Sequence, residues 1–229
     1  MPVTEFVFIR PKPDTQSRKE LDAKLLGVLN SVFSKLPKLD VLCIGSKLGG
    51  TSENTHQQEE LCLFLQWQHI SGFDSFLGSP EFTTFKQSML PYLAGPPDIQ
   101  LYESPEDGLF RAKEYPLYLH IMKSHSNGGD TETDSQQRIA INNGWEAFIE
   151  QSRLASGSND SLEFSLNGFG LRKDSGAFLS VTGWRDDKFI NSTLNDLNVK
   201  HSLQRLEDVA GATGWDHFIF KTQQVTLDK

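Results

Sequence analysis

Among the side chains that can move protons near neutral pH, the six histidines of this 229-residue chain come first, because an imidazole titrates at about 6.5. His120 sits inside "YPLYLHIMK". Strand alternation there puts Tyr115, Leu117, Leu119 and Ile121 on one face and Tyr118, His120 and Met122 on the other. A histidine in mid-strand needs a partner. It is either a general acid or base or a satisfied side chain at a seam between sheets. Tyr118, on the same face, either hydrogen-bonds a phenol or carbonyl or simply packs. His69 follows Trp67 at a strand-to-helix turn and either caps the loop or reaches a pocket mouth. His217 shares a strand face with Trp215, which suits a seam, and His56 and His125 fall in polar, solvated loops.

A second set of residues could bind rather than react. Trp67 and Trp184 each end a strand, and either fill a core or stack on an aromatic substrate, a contact worth about 0.5–1.5 kcal/mol beyond its area. Trp145 and Phe148 lie on one helix and are expected to face its sheet. Asn167, beside Gly168 and Gly170, either presents an amide to a pocket or marks a bulge. Arg185 reads as a solvated surface residue. The chain has no Gly-rich phosphate loop opening a helix, no G-x-S-x-G and no H-E-x-x-H. Cys43 and Cys62 lack metal-ligand spacing and read as buried free thiols. No metal and no cofactor is expected, so the chemistry must be acid–base, positional or electrostatic.

The elements that position these residues follow from periodicity and punctuation. Strands are expected at residues 5–10, 40–47, 61–68 and 98–103, with helices at 17–36 and 73–93, the second interrupted near "GSPEF". After "SPEDGLFRAKE" the order repeats. Strands at 115–123, 161–172, 176–184 and 214–222 alternate with a helix at 138–154 and helical segments at 186–210. "KDSG" is a hairpin turn between two of them. Two β-α-β-β-α-β units result, at residues 1–108 and 109–229, each a ferredoxin-like split motif. Such a sheet carries helices on one face, and its other apolar face needs a partner. The second copy supplies it. A net charge of −8 and a pI near 5.2 disfavour nucleic acid and anionic membranes as partners. The start has no secretory pattern and no apolar run is long enough for a bilayer, so a cytoplasmic protein is expected.

The stretches "LCLFLQWQHISGFDSFLGSPEFTTFKQSMLPYL" with "DIQLYE", and "FLSVTGWRDDKFINS" with "WDHFIFKT", resemble the dimeric α+β barrel superfamily. The branch is the antibiotic-biosynthesis-monooxygenase-like one, in a tandem fungal-type form. The resemblance implies an α+β fold of two ferredoxin-like domains closed into an intramolecular barrel. It also implies a pocket between a sheet and its own helices, without a cofactor in most members and with haem in others. His201 falls where relatives often carry a histidine, whereas the first half has "SPEF" there. The expected activity is a cofactor-free enzyme of secondary metabolism acting on a small hydrophobic molecule, a polyketide- or terpenoid-type intermediate. Cyclase, isomerase or dehydratase chemistry is expected, including pericyclic ring closure of the Diels–Alder kind. The alternatives are a monooxygenase of phenols or anthrones, and a non-catalytic binder of haem or another ligand. Because the dimer seam would lie within one chain, a monomer or weak homodimer is expected.

Overall fold

In the computed structural model, residues 1–50, 60–104, 117–124, 135–157, 161–210 and 214–227 are described. The first run of elements is β1 (Val3–Ile9), α1 (Thr15–Phe33), β2 (Leu39–Gly50), β3 (Leu61–Trp67), α2 (Ile70–Leu77), α3 (Pro80–Met89) and β4 (Asp98–Glu103). The second is β5 (Leu117–Ser124), α4 (Ser135–Ser156), β6 (Leu162–Phe169), β7 (Phe178–Trp184), α5 (Asp187–Asn195), α6 (Leu197–Ala210) and β8 (Trp215–Gln224). The junction expected at residues 108/109 lies outside the described residues, as do His56 and His125.

Local chemistry sets the element ends. The Asp14 carboxylate caps α1 by accepting the Ser17 N–H at 2.8 Å. The interruption expected near "GSPEF" is a true break: Ser79 caps α3 by accepting the Phe82 N–H, and Pro80 occupies the first turn. The "KDSG" connection forms a short 3₁₀ turn at Arg172–Asp174, with Arg172 at φ 58° and Gly176 at φ 83°.

The described strands join one eight-stranded sheet in the order β4-β1-β3-β2-β8-β5-β7-β6. Each half contributes the ferredoxin-like order, and the halves meet edge to edge. At the first seam, β2 and β8 pair from Cys43↔Gln224 to Gly50↔Phe218. At the other end, among the described residues, β4 and β6 meet through a single bridge, Tyr102↔Gly170. Leu171 N–H donating to the Leu101 carbonyl at 2.8 Å, and the Asp174 carboxylate accepting Leu101 N–H at 3.2 Å, support that second seam. The curled sheet encloses a core drawn from both halves, including Phe6, Phe64, Tyr102, Leu119, Ile121, Leu166, Val181 and Phe220. Cys43 and Cys62 lie within it as free thiols; burial pushes Cys43 up to about 12 and Cys62 well above its ordinary value.

The strand registers expose an internal symmetry. Leu39↔Trp67 and Leu162↔Trp184 are the same pair in each half, and each is followed by the same irregularity, Leu39/Val41 and Leu162/Phe164. Glu5↔Leu65 then corresponds to His120↔Thr182. Gly45 corresponds to Gly168, opposite Cys62 and Leu179. The bridge Tyr102↔Gly170 corresponds to Lys47↔Phe220 in the zipped seam. Both seams thus keep one register, but only one is fully paired.

Candidate functional site

The outer face of the sheet, beneath the helices, differs sharply between halves. In the first half it is apolar apart from one buried carboxyl, Glu5, which accepts the Trp67 Nε1–H. Ile9, Leu42, Ile44, Leu63, Leu65 and Trp67 join Leu29, Phe33, Phe73, Phe76 and Phe85 in one cluster, with Ile99 packed against it. At the corresponding positions the second half carries Ser124, Ser165, Asn167, Ser180, Thr182 and Trp184, with His217 for Ile99. Packing alone gives no reason to replace aliphatic side chains by hydroxyls, amides and an imidazole, because each buried polar group needs a partner.

A cavity of about 540 Å³ opens on that polar face, between α4, β6 and the end of β4. This is within the range of about 300–1,000 Å³ of small-molecule sites. On α4, Arg138, Asn142, Trp145 and Glu146 stand at helical spacing on one side. On β6, Ser165, Asn167 and Phe169 alternate toward the helices. The second seam supplies Glu103, Ser104 and Gly168. A Cβ built on Gly168 would collide with the Glu103 carbonyl, so glycine there is what lets β6 approach β4.

The lining combines an apolar wall with held polar groups. Trp145 and Phe169 are nearly buried. Arg138 lies over the Phe169 ring at 4.2 Å and pairs with the Glu103 carboxylate across the seam. Asn167 Nδ2 donates to Asn142 Oδ1 at 2.9 Å. The Ser104 and Thr4 hydroxyls are hydrogen-bonded to each other.

Asn167 and Trp145, singled out in the sequence, line this cavity together; the other candidates do not. Phe148 packs behind Trp145 at 5.6 Å between ring centres. Trp184 is buried and donates from Nε1 to Thr182 Oγ1 at 2.8 Å. Trp67 is core in the first half and donates to Glu5 Oε2 at 2.7 Å. His69 is the exposed N-cap of α2, its Nδ1 accepting Ser71 N–H at 3.2 Å. His201 is exposed on α6, away from the cavity. Tyr118 is half-buried, with Lys221 Nζ 5.9 Å from its ring centre. Arg185 pairs with Glu163 at 2.7 Å.

His120 is buried, but at neither seam. It faces the helices, and its Nε2 lies 3.3 Å from Nδ1 of His217, whose own Nε2 is 3.4 Å from Glu207 Oε1 on α6. Burial, and secondarily His217, hold His120 down to about 3, so it is neutral at pH 7. Sequence reasoning missed Arg138, Asn142, Ser165 and Glu103. The spacing of Arg138, Asn142 and Trp145 on α4 was the readable signal; the approach of Glu103 was not, because it depends on sheet closure. Among the described residues no histidine lines the cavity. Among the described residues no cluster of histidine, cysteine or carboxylate side chains is arranged to hold a metal, and no helix is long and apolar enough to cross a membrane.

No family model and no curated protein matches the chain. Solved structures share its fold over nearly the whole length. A proposed monooxygenase of Fusobacterium nucleatum subsp. nucleatum is 9% identical, with a TM-score of 0.63 over 98% of this chain and 93% of that one. One from Lactobacillus acidophilus NCFM is 8% identical, with a TM-score of 0.60 over 98% and 96%. An anthrone oxidase-like protein is 10% identical, with a TM-score of 0.61 over 100% and 96%. At these identities the likeness is one of fold: the chain has the tandem α+β barrel architecture of these proteins.

Proposed function

We propose that the chain is a cofactor-free enzyme whose working pocket is the α4–β6 cavity of the second half. It takes a bulky, ring-bearing molecule that carries a carbonyl or hydroxyl oxygen. The observation that carries this reading is the one-sided exchange of apolar for polar residues beneath the helices, centred on a cavity of about 540 Å³. Trp145 and Phe169 supply a flat apolar wall. The Asn142–Asn167 pair leaves one amide N–H₂ and one carbonyl uncommitted, whichever way the two amides are turned. A substrate oxygen can thus be both donated to and accepted from, and a developing enolate is stabilised by the amide N–H and Arg138. Proton transfer on such a molecule serves ring closure, isomerisation or dehydration of a polyketide- or terpenoid-type intermediate.

A second reading, oxygenation of a phenol or anthrone without cofactor, is favoured by one observation: a tryptophan and two asparagines, Trp145, Asn142 and Asn167, share the cavity. The neighbour described as anthrone oxidase-like suggests the probe. Both readings begin with removal of a proton. Anthrone is incubated with the protein in D₂O under anaerobic conditions, and deuterium entry at its methylene carbon is followed by NMR. Accelerated exchange, lost in Asn167→Ile, is expected. Oxygen uptake on admitting air selects the second reading, and its absence the first. Exchange no faster than buffer, or unchanged in Asn167→Ile, would overturn the assignment of the pocket.

A further inference from the structure

The polar face holds more hydrogen-bonding atoms than the described protein satisfies. His120 Nδ1 and Ser180 Oγ are buried and have no partner among the described residues. Both side chains stand on the helix-facing side of adjacent strands: His120 is opposite Thr182, two residues along β7 from Ser180. The backbones of such diagonal neighbours lie about 7–8 Å apart, and both side chains rise from the same face, which leaves room for a water between the two polar atoms. Buried polar atoms without protein partners are the usual place for an internal water. Ser180 is in turn the cross-strand neighbour of Asn167, which lines the cavity.

On the other side, His120 Nε2 meets His217 Nδ1 at 3.3 Å, and His217 Nε2 meets Glu207 Oε1 at 3.4 Å. His217 and Glu207 are about one-fifth to one-quarter exposed, so the series reaches solvent. In the first half the positions of Asn167, Ser180 and His217 are held by Ile44, Leu63 and Ile99, inside an apolar cluster. Only the position of His120 is ionisable in both halves, as Glu5 in the first, so the row as a whole belongs to the cavity-bearing half.

We propose that a buried water between Ser180 and His120, followed by His120, His217 and Glu207, forms a proton path between the cavity and solvent. This rests on the cavity being a site of proton transfer. In the outward direction, a proton released from the bound molecule passes through the water to His120 Nδ1. The Nε2 proton of His120 moves to His217 Nδ1, and the Nε2 proton of His217 moves to the Glu207 carboxylate, which gives it to bulk water. Each imidazole accepts at one nitrogen as it releases at the other, so neither need persist as a cation. The proton returned to the product carbon runs the same series inward and restores the starting tautomers. His120 and His217 are thus relay residues that act through the water and do not touch the substrate. The burial of His120 favours this use, since it keeps the imidazole neutral and a neutral imidazole is the form that both accepts and donates.

Two measurements test the path independently. A crystal structure of the full chain that resolves waters is expected to show one within hydrogen-bonding distance of both Ser180 Oγ and His120 Nδ1. A dry site there overturns the proposal whatever the protein catalyses. For function, the anaerobic anthrone exchange assay is run on Ser180→Leu and His217→Ala, which restore or approach the first half's apolar chemistry without touching the cavity lining. Exchange is expected to slow about tenfold or more in the turnover term with KM unchanged, a loss at the lower end of proton-transfer effects. Added imidazole is expected to restore the His217→Ala rate. Unchanged exchange in both variants, or loss through KM alone, overturns the path. If the wild-type protein itself does not exchange anthrone, the reading of the cavity fails for that probe and the water decides the path alone.

Discussion

The two halves of this chain place an ionisable side chain at the same point of the same strand, and the two titrate in opposite senses. Glu5 and His120 occupy matching registers, opposite Leu65 and Thr182. Burial pushes Glu5 up to about 7, partly opposed by the Trp67 N–H, whereas burial holds His120 down to about 3. Around Glu5 the space is closed by Trp67 and a ring of phenylalanines. Around His120 stand the Thr182 hydroxyl, which donates to its carbonyl, and a second histidine, His217. Symmetric backbones thus carry one half whose outer face is apolar around a single buried carboxyl and one half in which several of the matching apolar side chains are exchanged for polar groups.

That division is open to attack, and the largest effect is expected at the matched acid and base. An acid whose folded value is raised stabilises relative to its ionised form only at low pH. Between about 4.5 and about 7 the folded state holds the proton more tightly than the unfolded one, so stability falls as pH rises through that window and then levels. Glu5→Gln should therefore match wild type near pH 4 and exceed it by about 3 kcal/mol above pH 7, read from urea midpoints across pH. His120 has the opposite sign. Its folded value is lowered, so its penalty appears as pH falls below about 6.5, and His120→Gln should exceed wild type by about 2 kcal/mol at pH 5 and not at pH 8. Parallel pH profiles for the two variants would break the comparison.

The seams give the next effect. Gly168→Ala drives a Cβ into the Glu103 backbone and should cost about 1–3 kcal/mol. Gly45→Ala in the zipped seam meets mainly the Thr222 methyl at 2.8 Å, a side chain that can turn, and should cost less by thermal unfolding. Equal losses would mean that the second seam is not the tighter approach. The smallest effect belongs to the Arg138–Glu103 pair, in which both side chains are more than a quarter exposed. Arg138→Gln should change stability by less than about 1 kcal/mol while weakening ligand binding in the cavity. Because the fully paired seam lies within one chain, sedimentation should find a monomer, and an obligate dimer would mean that another surface is in use.

Much of this architecture was legible in the sequence. The repeat of strand and helix signals, the paired terminal tryptophans Trp67 and Trp184, and the apolar second face of each sheet together imply two ferredoxin-like units closed on one another. Gly168 was readable only as part of a possible bulge beside Asn167, because the Glu103 backbone that it makes room for comes from the other half. The site was legible only in part. Asn167 and Trp145 both line the cavity, each placed beneath the helices by a local rule, strand alternation for one and helix spacing for the other. His201 could not be placed that way: on an amphipathic helix a shift of one residue separates buried Ser202 from exposed His201. The expected partner of His120 was a sheet seam, but its actual partners, His217 and Glu207, come from a strand and a helix almost a hundred residues away. The contrast between polar and apolar outer faces needs strand register to be seen at all.

The central claim is that the second half alone holds the working pocket, and exchanging matched residues tests it most directly. Deuterium entry into anthrone is measured for wild type, for Asn167→Ile and for Ile44→Asn, which swap the two halves' side chains at one equivalent position. Loss of catalysed exchange in Asn167→Ile with full exchange retained in Ile44→Asn is the predicted result. Retained exchange in Asn167→Ile, together with loss in Ile44→Asn, would place the chemistry in the first half and contradict the account.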